Sequence, residues 1–296
     1  MTGIAVLPEP VPEAVRAAVG TQPAPEQAQA LVWLGEPEGL AGALQWMPAV
    51  RWVQLPWAGV EEFLPLMRAG VTWTSAAGVL AEPVAEHALM LAMVALRSAD
   101  RSVRAGRWLP QPPRSLYDAE VLIVGGGAVT RALLRLLTPL RARVTVVRRS
   151  PVPVEGAYRV LGTDELADAA AEADVVVLTA ALTPQTRGMI AEPVLRRMRP
   201  GACLVNVARG GLVNTADLVR ALTEGWIAAA ALDVTEPAPL PGSHPLWSLE
   251  NCFLTAHCAG ELPYAWPAFA ELVRENAGRF RQGLPLRNTV APALGY

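Results

Sequence analysis

A run of three glycines joins two apolar stretches near the middle of this 296-residue chain. Residues 121–124 are apolar and strand-like, and a Leu-rich stretch of helical character follows the glycines. Gly125 and Gly127 occupy the first two positions of the pattern G-x-G-x-x-G. The first glycine allows a tight turn, and the second lets the backbone approach a pyrophosphate at a helix N-terminus. With Ala128 and Val129 opening the helix, the segment predicts a dinucleotide-binding turn.

The third glycine position holds Thr130, which departs from the pattern at the position that usually allows close helix packing. The next strand, at 144–147, ends where dinucleotide enzymes place an acid for a ribose 2′-hydroxyl, about 20 residues after the first glycine. Arg148, Arg149 and Ser150 stand there instead. Two guanidiniums and a hydroxyl attract a 2′-phosphate, so the sequence favours NADP(H) over NAD(H). The alternative is a solvated arginine pair at a strand end.

The elements that position this turn alternate between apolar strands and helices, which is typical of parallel α/β sheets. Helical spacing of apolar residues predicts helices at 82–107 and 265–281, and three prolines predict a linker at 109–114. The predicted strands are 4–7, 30–34, 52–55, 71–74, 121–124, 144–147, 175–178, 203–207, 229–232 and 253–255.

Composition excludes several classes of protein. The net charge of −2 argues against nucleic-acid and anionic-membrane partners, and the apolar runs are too short for a membrane span. The chain contains Arg but no Lys, which excludes enzymes that form a Schiff base through lysine. Three cysteines without C-x-x-C spacing and three scattered histidines predict buried, reduced thiols, no metal site and a cytoplasmic protein.

Several downstream motifs occur in a fixed order. They are L-V-N-V-A-R-G-G-L-V-N at 204–214, A-L-D-V-T-E-P at 231–237, H-P-L-W at 244–247 and N-C-F-L-T-A-H at 251–257. The loop at 181–188 and the motifs at 58–61, 77–80 and 84–87 accompany them. Together they resemble the signature blocks of the D-isomer-specific 2-hydroxyacid dehydrogenase family, over roughly residues 50 to 260.

The resemblance implies a chemistry that the matched residues can perform. Arg209 corresponds to the family's substrate arginine, whose planar fork suits a carboxylate and polarises the neighbouring carbonyl. His257 corresponds to the general acid that protonates the nascent alkoxide in reduction and acts as base in oxidation. The resemblance further assigns substrate binding to backbone amides of Gly78, Val79 and Leu80, and coenzyme binding to Thr183, Thr186, Ala208 and Asp233.

One residue of the family pattern is missing. A Glu usually stands five residues after the Asp of the L-D-V block, hydrogen-bonded to the histidine, but that position is Ala238. The absent carboxylate would have fixed one tautomer and favoured the imidazolium. Three explanations stay open: another carboxylate (Glu236, Glu261 or one from the 82–86 helix) replaces it, the enzyme is slow and works best below neutrality, or turnover is lost.

The expected fold is α/β, with two Rossmann-like domains, doubly wound parallel sheets and an active site in the cleft between them. Residues 1–93 with 267–296 form the predicted substrate domain, and 94–266 the dinucleotide-binding domain. The expected reaction is NADPH-dependent reduction of a small 2-keto acid (glyoxylate, hydroxypyruvate or pyruvate) to the D-2-hydroxy acid by a homodimer. The alternatives are a non-catalytic NADP(H)-binding sensor and a formate-dehydrogenase-like enzyme.

Overall fold

The computed structural model describes residues 3–110, 114–260 and 262–294. The chain divides into two compact units: unit 1 is Met1–Leu80 with Gly260–Tyr296, and unit 2 is Ala81–Ala259. Part of the predicted linker, residues 111–113, lies outside the described residues. No helix among the described residues is both long and apolar enough to cross a membrane.

The strands and helices follow one another along the chain in a mostly alternating order. The strands are β1 (Ile4–Leu7), β2 (Ala30–Trp33), β3 (Trp52–Gln54), β4 (Thr72–Thr74), β5 (Glu120–Val124), β6 (Arg143–Val147), β7 (Arg159–Leu161), β8 (Val175–Leu178), β9 (Cys203–Asn206), β10 (Ala229–Leu232) and β11 (Cys252–Leu254). The helices are α1 (Glu13–Val19), α2 (Pro37–Gln45), α3 (Ala81–Arg97), α4 (Ala99–Arg104), α5 (Ala128–Leu137), α6 (Leu166–Glu172), α7 (Glu192–Leu195), α8 (Thr215–Thr223) and α9 (Leu262–Gln282).

Unit 1 contains a parallel four-stranded sheet of order β1-β2-β3-β4. Successive residues point to opposite faces of a strand, so Val6 lies in the cluster with Phe269 of α9 while Ala5 lies in the cluster with Leu40 of α2. Both faces are therefore covered. A buried polar chain joins the sheet to α9, because Asn276 donates to Gln54 Oε1 at 3.0 Å.

Unit 2 contains a parallel seven-stranded sheet of order β11-β10-β9-β8-β5-β6-β7. The strands run outward in both directions from β5, so the order reverses between β5 and β8. In open α/β sheets ligands bind at this reversal, beyond the carboxyl ends of the strands. Two apolar clusters cover the two faces, one including Leu122 and Leu178, the other including Ile123 and Leu91. The predicted α/β class with parallel sheets is confirmed.

The domain boundaries differ from those read in the sequence. The units divide at residues 80 and 260, whereas the sequence placed the division at 93 and 267. The reason is α3, whose apolar face, including Ala85, Ala88 and Leu91, is buried in a core cluster of unit 2. A helix belongs to the core that buries its apolar stripe, and the sequence pattern alone does not identify that core.

Two elements depart from the sequence prediction. The helix predicted at 82–107 is two helices, because Ser98 adopts a positive φ of 48° between α3 and α4. Strand β7 was not predicted, since its three residues are only half-buried at the sheet edge and carry no clear alternating pattern. The predicted strands at 30–34, 52–55 and 203–207 each end one residue earlier in the structure.

Candidate active site

The glycine turn joins β5 to α5 at the reversal point of the unit 2 sheet. Gly125 has a φ of +121°, and a Cβ there would lie 2.5 Å from Thr179 Oγ1 and 2.8 Å from the amide nitrogen of Ala180. At Gly127, the N-cap of α5, an added Cβ would meet no atom within 4 Å, and no side chain caps this helix within the described residues. Open space above uncapped amides of Ala128 and Val129 fits a pyrophosphate.

Thr130 compensates for the missing third glycine. Its hydroxyl donates to the carbonyl of Gly125 at 2.8 Å and lies 2.9 Å from Thr179 Oγ1. The side chain is fully buried, so these bonds satisfy a hydroxyl that would otherwise carry a desolvation cost. The departure from the glycine pattern therefore ties α5 to the ends of β5 and β8.

The basic residues after β6 lie next to the same turn. A Cβ on Gly126 would lie 2.8 Å from Cδ and 2.9 Å from Nε of Arg148, so the Arg148 side chain lies against this glycine. Arg148 is half-buried, while Arg149 and Ser150 are exposed. Nη1 of Arg131 on α5 also reaches the Gly126 carbonyl at 3.5 Å. Positive charge thus gathers where a 2′-phosphate would be bound.

A second loop follows β8 on the same edge. Thr183 donates its backbone N–H to Thr186 Oγ1 at 2.8 Å, and that hydroxyl donates to the carbonyl of Ala181 at 2.8 Å. Both threonines are half-buried. These bonds hold the loop in a compact turn, and its predicted contact with coenzyme stays a prediction.

The loop after β9 positions Arg209. The buried Asn206 accepts from the amide of Ala208 at 3.0 Å and donates to the carbonyl of Arg209 at 2.9 Å. Arg209 is half-buried, and its Nη1 donates to the Ala208 carbonyl at 2.8 Å. Asn206 was not singled out from the sequence. Its two hydrogen bonds fix the backbone of residues 208 and 209. They thereby position the Arg209 guanidinium, which the sequence assigned to substrate binding.

Asp233, directly after β10, is the most heavily bonded carboxylate of this edge. It is 2% exposed. Its Oδ1 accepts from the Thr255 hydroxyl at 2.6 Å and from the Cys258 amide at 3.0 Å, and its Oδ2 accepts from the Ala259 amide at 3.0 Å. A carboxylate has about four lone-pair positions, so one on Oδ2 remains for a further donor.

The hydrogen bonds decide the charge of Asp233. Burial by itself raises the pKa of this carboxyl, but the Thr255 hydroxyl, the two amides and the nearby His87 together hold the pKa below its usual value. The group is therefore an ionised acceptor at neutral pH. Such an acceptor suits the amino group of a carboxamide.

His257 is anchored through its backbone. Its amide donates to the Asp233 carbonyl at 2.9 Å, and its φ of 53° is left-handed. The ring is exposed and has no hydrogen-bond partner within residues 3–110, 114–260 and 262–294. The backbone thus fixes residue 257 beside residue 233, and no described carboxylate is hydrogen-bonded to the ring.

Among the carboxylates suggested as substitutes for the missing Glu, Glu236 and Glu82 pair with arginines and Glu86 is exposed. Glu236 is bonded to Arg187 at 2.8 Å, and Glu82 to Arg135 at 3.1 Å. Glu261 lies outside the described residues. Position 238 itself is exposed in the loop after β10.

His87, which α3 brings to Asp233, is a site residue that was not assigned from the sequence. Its Nε2 lies 3.0 Å from Thr255 Oγ1 and 3.4 Å from Asp233 Oδ1. The signal was a histidine within the apolar spacing of a helix, where a polar side chain needs a buried partner.

His87, Asp233 and Cys258 offer three potential metal ligands within 4.8 Å of one another. The Asp233 oxygens already accept hydrogen bonds from the Thr255 hydroxyl and two backbone amides. His87 and Cys258 both face Oδ1, which already accepts from the Thr255 hydroxyl and the Cys258 amide. A metal ion bound by all three side chains would have to displace these two donors, so the arrangement favours a hydrogen-bonded network over a metal centre.

The cysteines need one correction. Cys203 and Cys252 are buried, and burial raises the pKa of Cys252 to about 12, so both are unreactive thiols. Cys258 was also expected to be buried, but it is exposed. It lies in the loop after β11 rather than in a strand, and it remains exposed although its Sγ lies 3.7 Å from Asp233 Oδ1.

The predicted substrate loop lies in unit 1, after β4. Gly78 has a φ of +91°, and the Val79 amide donates to the Ala76 carbonyl at 3.1 Å, so this amide already has a partner. Leu80 is half-buried. Asn288 holds the loop by donating to the Ala77 carbonyl at 2.8 Å.

The sheet order and glycine turn of unit 2 define a dinucleotide-binding domain of the Rossmann type. Residues 87–259 match the family model described as D-isomer specific 2-hydroxyacid dehydrogenase, NAD binding domain. The chain belongs to the D-isomer-specific 2-hydroxyacid dehydrogenase family. Membership of this family supports an oxidoreductase that acts on CH–OH donors with a nicotinamide coenzyme.

Individual proteins are similar to this chain in sequence or in structure. An uncharacterised protein from Corynebacterium melassecola is 38% identical over 83% of this chain and 84% of its own length. The mouse glyoxylate reductase/hydroxypyruvate reductase is 38% identical over 61% of this chain, but the match spans only 58% of the mouse protein. A D-isomer specific 2-hydroxyacid dehydrogenase from Xanthobacter autotrophicus Py2, solved with NADPH and MES, superposes with a TM-score of 0.87 at 27% identity, covering 100% of this chain and 99% of that one.

Proposed function

We propose that this protein is an NADPH-dependent reductase of a small 2-keto acid such as glyoxylate, hydroxypyruvate or pyruvate. The observation that carries the proposal is one sheet edge in unit 2. Arg148 lies against the glycine turn at one side of the reversal point. At the other side Arg209 follows β9, Asp233 follows β10 and His257 follows β11. The relatives named for glyoxylate and hydroxypyruvate reduction support a small substrate.

Different groups of residues are proposed to bind different parts of the coenzyme. The α5 amides and Gly125–Gly127 bind the pyrophosphate, Arg148, Arg149 and Ser150 bind the 2′-phosphate, and Thr183, Thr186 and Ala208 line the coenzyme. The bound coenzyme supplies the hydride. The free lone pair of Asp233 Oδ2 accepts from the carboxamide of the nicotinamide.

The proposed substrate contacts follow from the charge and the acid–base chemistry of two side chains. Arg209 holds the substrate carboxylate and polarises the keto group, and His257 donates the proton to the developing alkoxide. Contact of Gly78, Val79 and Leu80 with substrate, the D configuration of the product, the homodimer and the cytoplasmic location stay predictions.

The test of the reductase is coenzyme oxidation at about 340 nm, where reduced nicotinamide absorbs, from about pH 5.5 to 8, which brackets the reference histidine pKa. NADPH and NADH are each offered with glyoxylate, hydroxypyruvate, pyruvate and phenylpyruvate. Turnover with NADPH that requires Arg209 and His257 supports the proposal. Tight NADPH binding with no turnover of any keto acid would instead favour the non-catalytic NADP(H) sensor, which the absent Glu at position 238 keeps open.

The coenzyme preference has its own test. Arg148→Asp places a negative charge where the 2′-phosphate is proposed to bind, so the ratio of kcat/KM for NADPH over NADH is expected to fall about tenfold or more. Glu155→Gln, a change at an exposed residue of the same connection, is the matched control. An unchanged ratio in Arg148→Asp would remove this arginine from coenzyme selection.

A further inference from the structure

His87 extends from α3 to the Asp233 carboxylate. Its side chain is 15% exposed, and its Nε2 lies 3.0 Å from Thr255 Oγ1 and 3.4 Å from Asp233 Oδ1. The Asp233 side chain is 1% exposed. A titratable ring therefore shares a low-dielectric space with a carboxylate, and the proposed reaction gives this ring no task.

The hydrogen bonds fix which ring nitrogen carries the proton. Asp233 is ionised, so the Thr255 hydroxyl must use its only hydrogen to donate to Oδ1 at 2.6 Å. Thr255 Oγ1 can then only accept from His87, which makes Nε2 of His87 a donor. The ring is therefore either the neutral Nε2–H tautomer or the imidazolium. The second proton adds on Nδ1 and leaves the bond to Thr255 intact.

A change in the charge of His87 acts on the two forms of the coenzyme unequally. In the proposed function Asp233 accepts from the nicotinamide carboxamide, so its negative charge lies near a ring that is positive in NADP⁺ and neutral in NADPH. The carboxylate alone stabilises NADP⁺ more than NADPH. An imidazolium 3.4 Å from Oδ1 offsets that preference, because opposite charges this close interact strongly away from water.

We propose that His87 is a positioning residue that holds Asp233 and sets the relative affinity for oxidised and reduced coenzyme, its protonation favouring NADPH. This inference rests on the proposed function, in which Asp233 binds the nicotinamide. It gives the protein a means to favour reduction as the pH falls, although the Glu that usually supports the catalytic histidine is missing.

Other titratable groups on neighbouring elements are accounted for. Asp233 and Cys258 face His87 from the loops that follow β10 and β11. On α3 itself Glu86 is exposed and Glu82 pairs with Arg135 of α5. Arg97 of α3 is exposed. On the elements packed against α3, Arg131 reaches the Gly126 carbonyl, Arg101 pairs with Glu250 and Arg104 donates to the Cys252 carbonyl. Asp100, Cys203 and Cys252 are buried.

The test measures dissociation constants rather than rates. Kd for NADP⁺ and for NADPH is determined by coenzyme fluorescence and its displacement at about pH 5.5, 6.5 and 8, a range around the reference histidine pKa. The quantity compared is the ratio Kd(NADP⁺)/Kd(NADPH), in which ionisation of the shared phosphates cancels. His257→Asn serves as the background, because this change removes the other histidine that the proposed function places at the reacting atoms.

In the His257→Asn background the ratio is expected to fall about three- to tenfold between pH 5.5 and 8. Adding His87→Gln, which keeps an Nε2 donor but has no titration, should make the ratio independent of pH. Adding His87→Leu, which removes the donor as well, should also weaken binding of both coenzymes. The ratio in Thr255→Ser, which keeps the hydroxyl, should retain the pH dependence.

Two results would overturn the inference. A ratio that stays constant with pH while His87 is present shows that its charge does not reach the nicotinamide, and a pH dependence that survives His87→Gln assigns the effect to another group. Failure of the proposed reductase would look different, since coenzyme would bind with the predicted pH dependence while no keto acid was reduced. Unfolding temperatures of each variant identify any change that merely disturbs the fold.

Discussion

The two sides of the sheet edge in unit 2 are built differently. On the β5 side, Gly125, Gly127 and Thr130 lie within six residues, and the turn depends on backbone conformation and on the start of one helix. On the β10 side, Asp233 is held from two other segments. The loop after β11 donates through Thr255 and the amides of residues 258 and 259, and His87 on α3 lies 3.4 Å from Oδ1.

This difference shows which kind of site can be recognised from a sequence alone. A turn made from neighbouring residues keeps its pattern in the sequence, because the constraint is a single φ angle and a single close approach. A carboxylate that is held from two other segments depends on how the strands and α3 pack. A supporting residue on this side of the edge can also be lost, as the Glu expected at position 238 is, without disturbing the surrounding motifs.

The largest expected effect is on catalysis at the β10 side. His257→Asn should lower the reduction rate by about 10²- to 10⁴-fold, because the proposed proton donor is lost. Asn tolerates the left-handed backbone of this position, so the loop is retained. Steady-state rates with NADPH are measured alongside the Kd for NADPH, which should stay within a few-fold. A rate within tenfold of the unmodified protein would mean that His257 is not the proton donor.

A second comparison concerns stability at the β5 side. Gly125→Ala places a Cβ 2.5 Å from Thr179 Oγ1 on a backbone with φ of +121°, and should reduce the unfolding free energy by about 2–4 kcal/mol. Gly127→Ala, where the added carbon meets no atom within 4 Å, is the matched control and should cost much less. Urea unfolding distinguishes them. Equal losses would show that crowding at the β8 end does not determine this turn.

Asp233→Asn tests the network by pH. Hydrogen bonds hold the pKa of Asp233 below its usual value, so the ionised group contributes stability above the unfolded-state pKa of about 3.9 and loses it as pH falls through the lower folded-state pKa. The variant should lower the unfolding free energy by about 1–3 kcal/mol at pH 7, and the difference should shrink below about pH 4. Asp164→Asn, at an exposed carboxylate outside this network, is the control. A difference that is constant with pH would contradict an ionised network.

The smallest effect is expected from restoring the family acid. Ala238→Glu should raise the reduction rate at pH 8 by about three- to tenfold and extend activity to higher pH, because a carboxylate favours the imidazolium. Ala238→Gln, similar in size but uncharged, should leave the pH profile as it is. If the Glu and Gln variants behave alike, the absent carboxylate does not limit catalysis.

Much of the fold was predictable from local patterns. Residues 4–7, 175–178 and 229–232 were predicted as strands with the bounds that the structure gives, since continuous apolar runs mark buried parallel strands. The break at Ser98 and the edge strand β7 were not, because a single αL residue and a half-buried strand leave little pattern. The predicted site residues Gly125, Arg148, Arg209, Asp233 and His257 lie on loops at the carboxyl ends of one sheet, whereas Gly78–Leu80 lie in unit 1.

The sequence by itself determined the α/β class, the glycine turn, the basic residues after β6 and the family, because each is written in short segments with fixed spacing. Only the tertiary structure decided that α3 belongs with unit 2, that Thr130 replaces a glycine through hydrogen bonds, and that His87 reaches Asp233. The physical reason is distance along the chain. Residues 87, 233 and 255 meet through parallel strand pairing and helix packing, and neither leaves a local signature that names its partner.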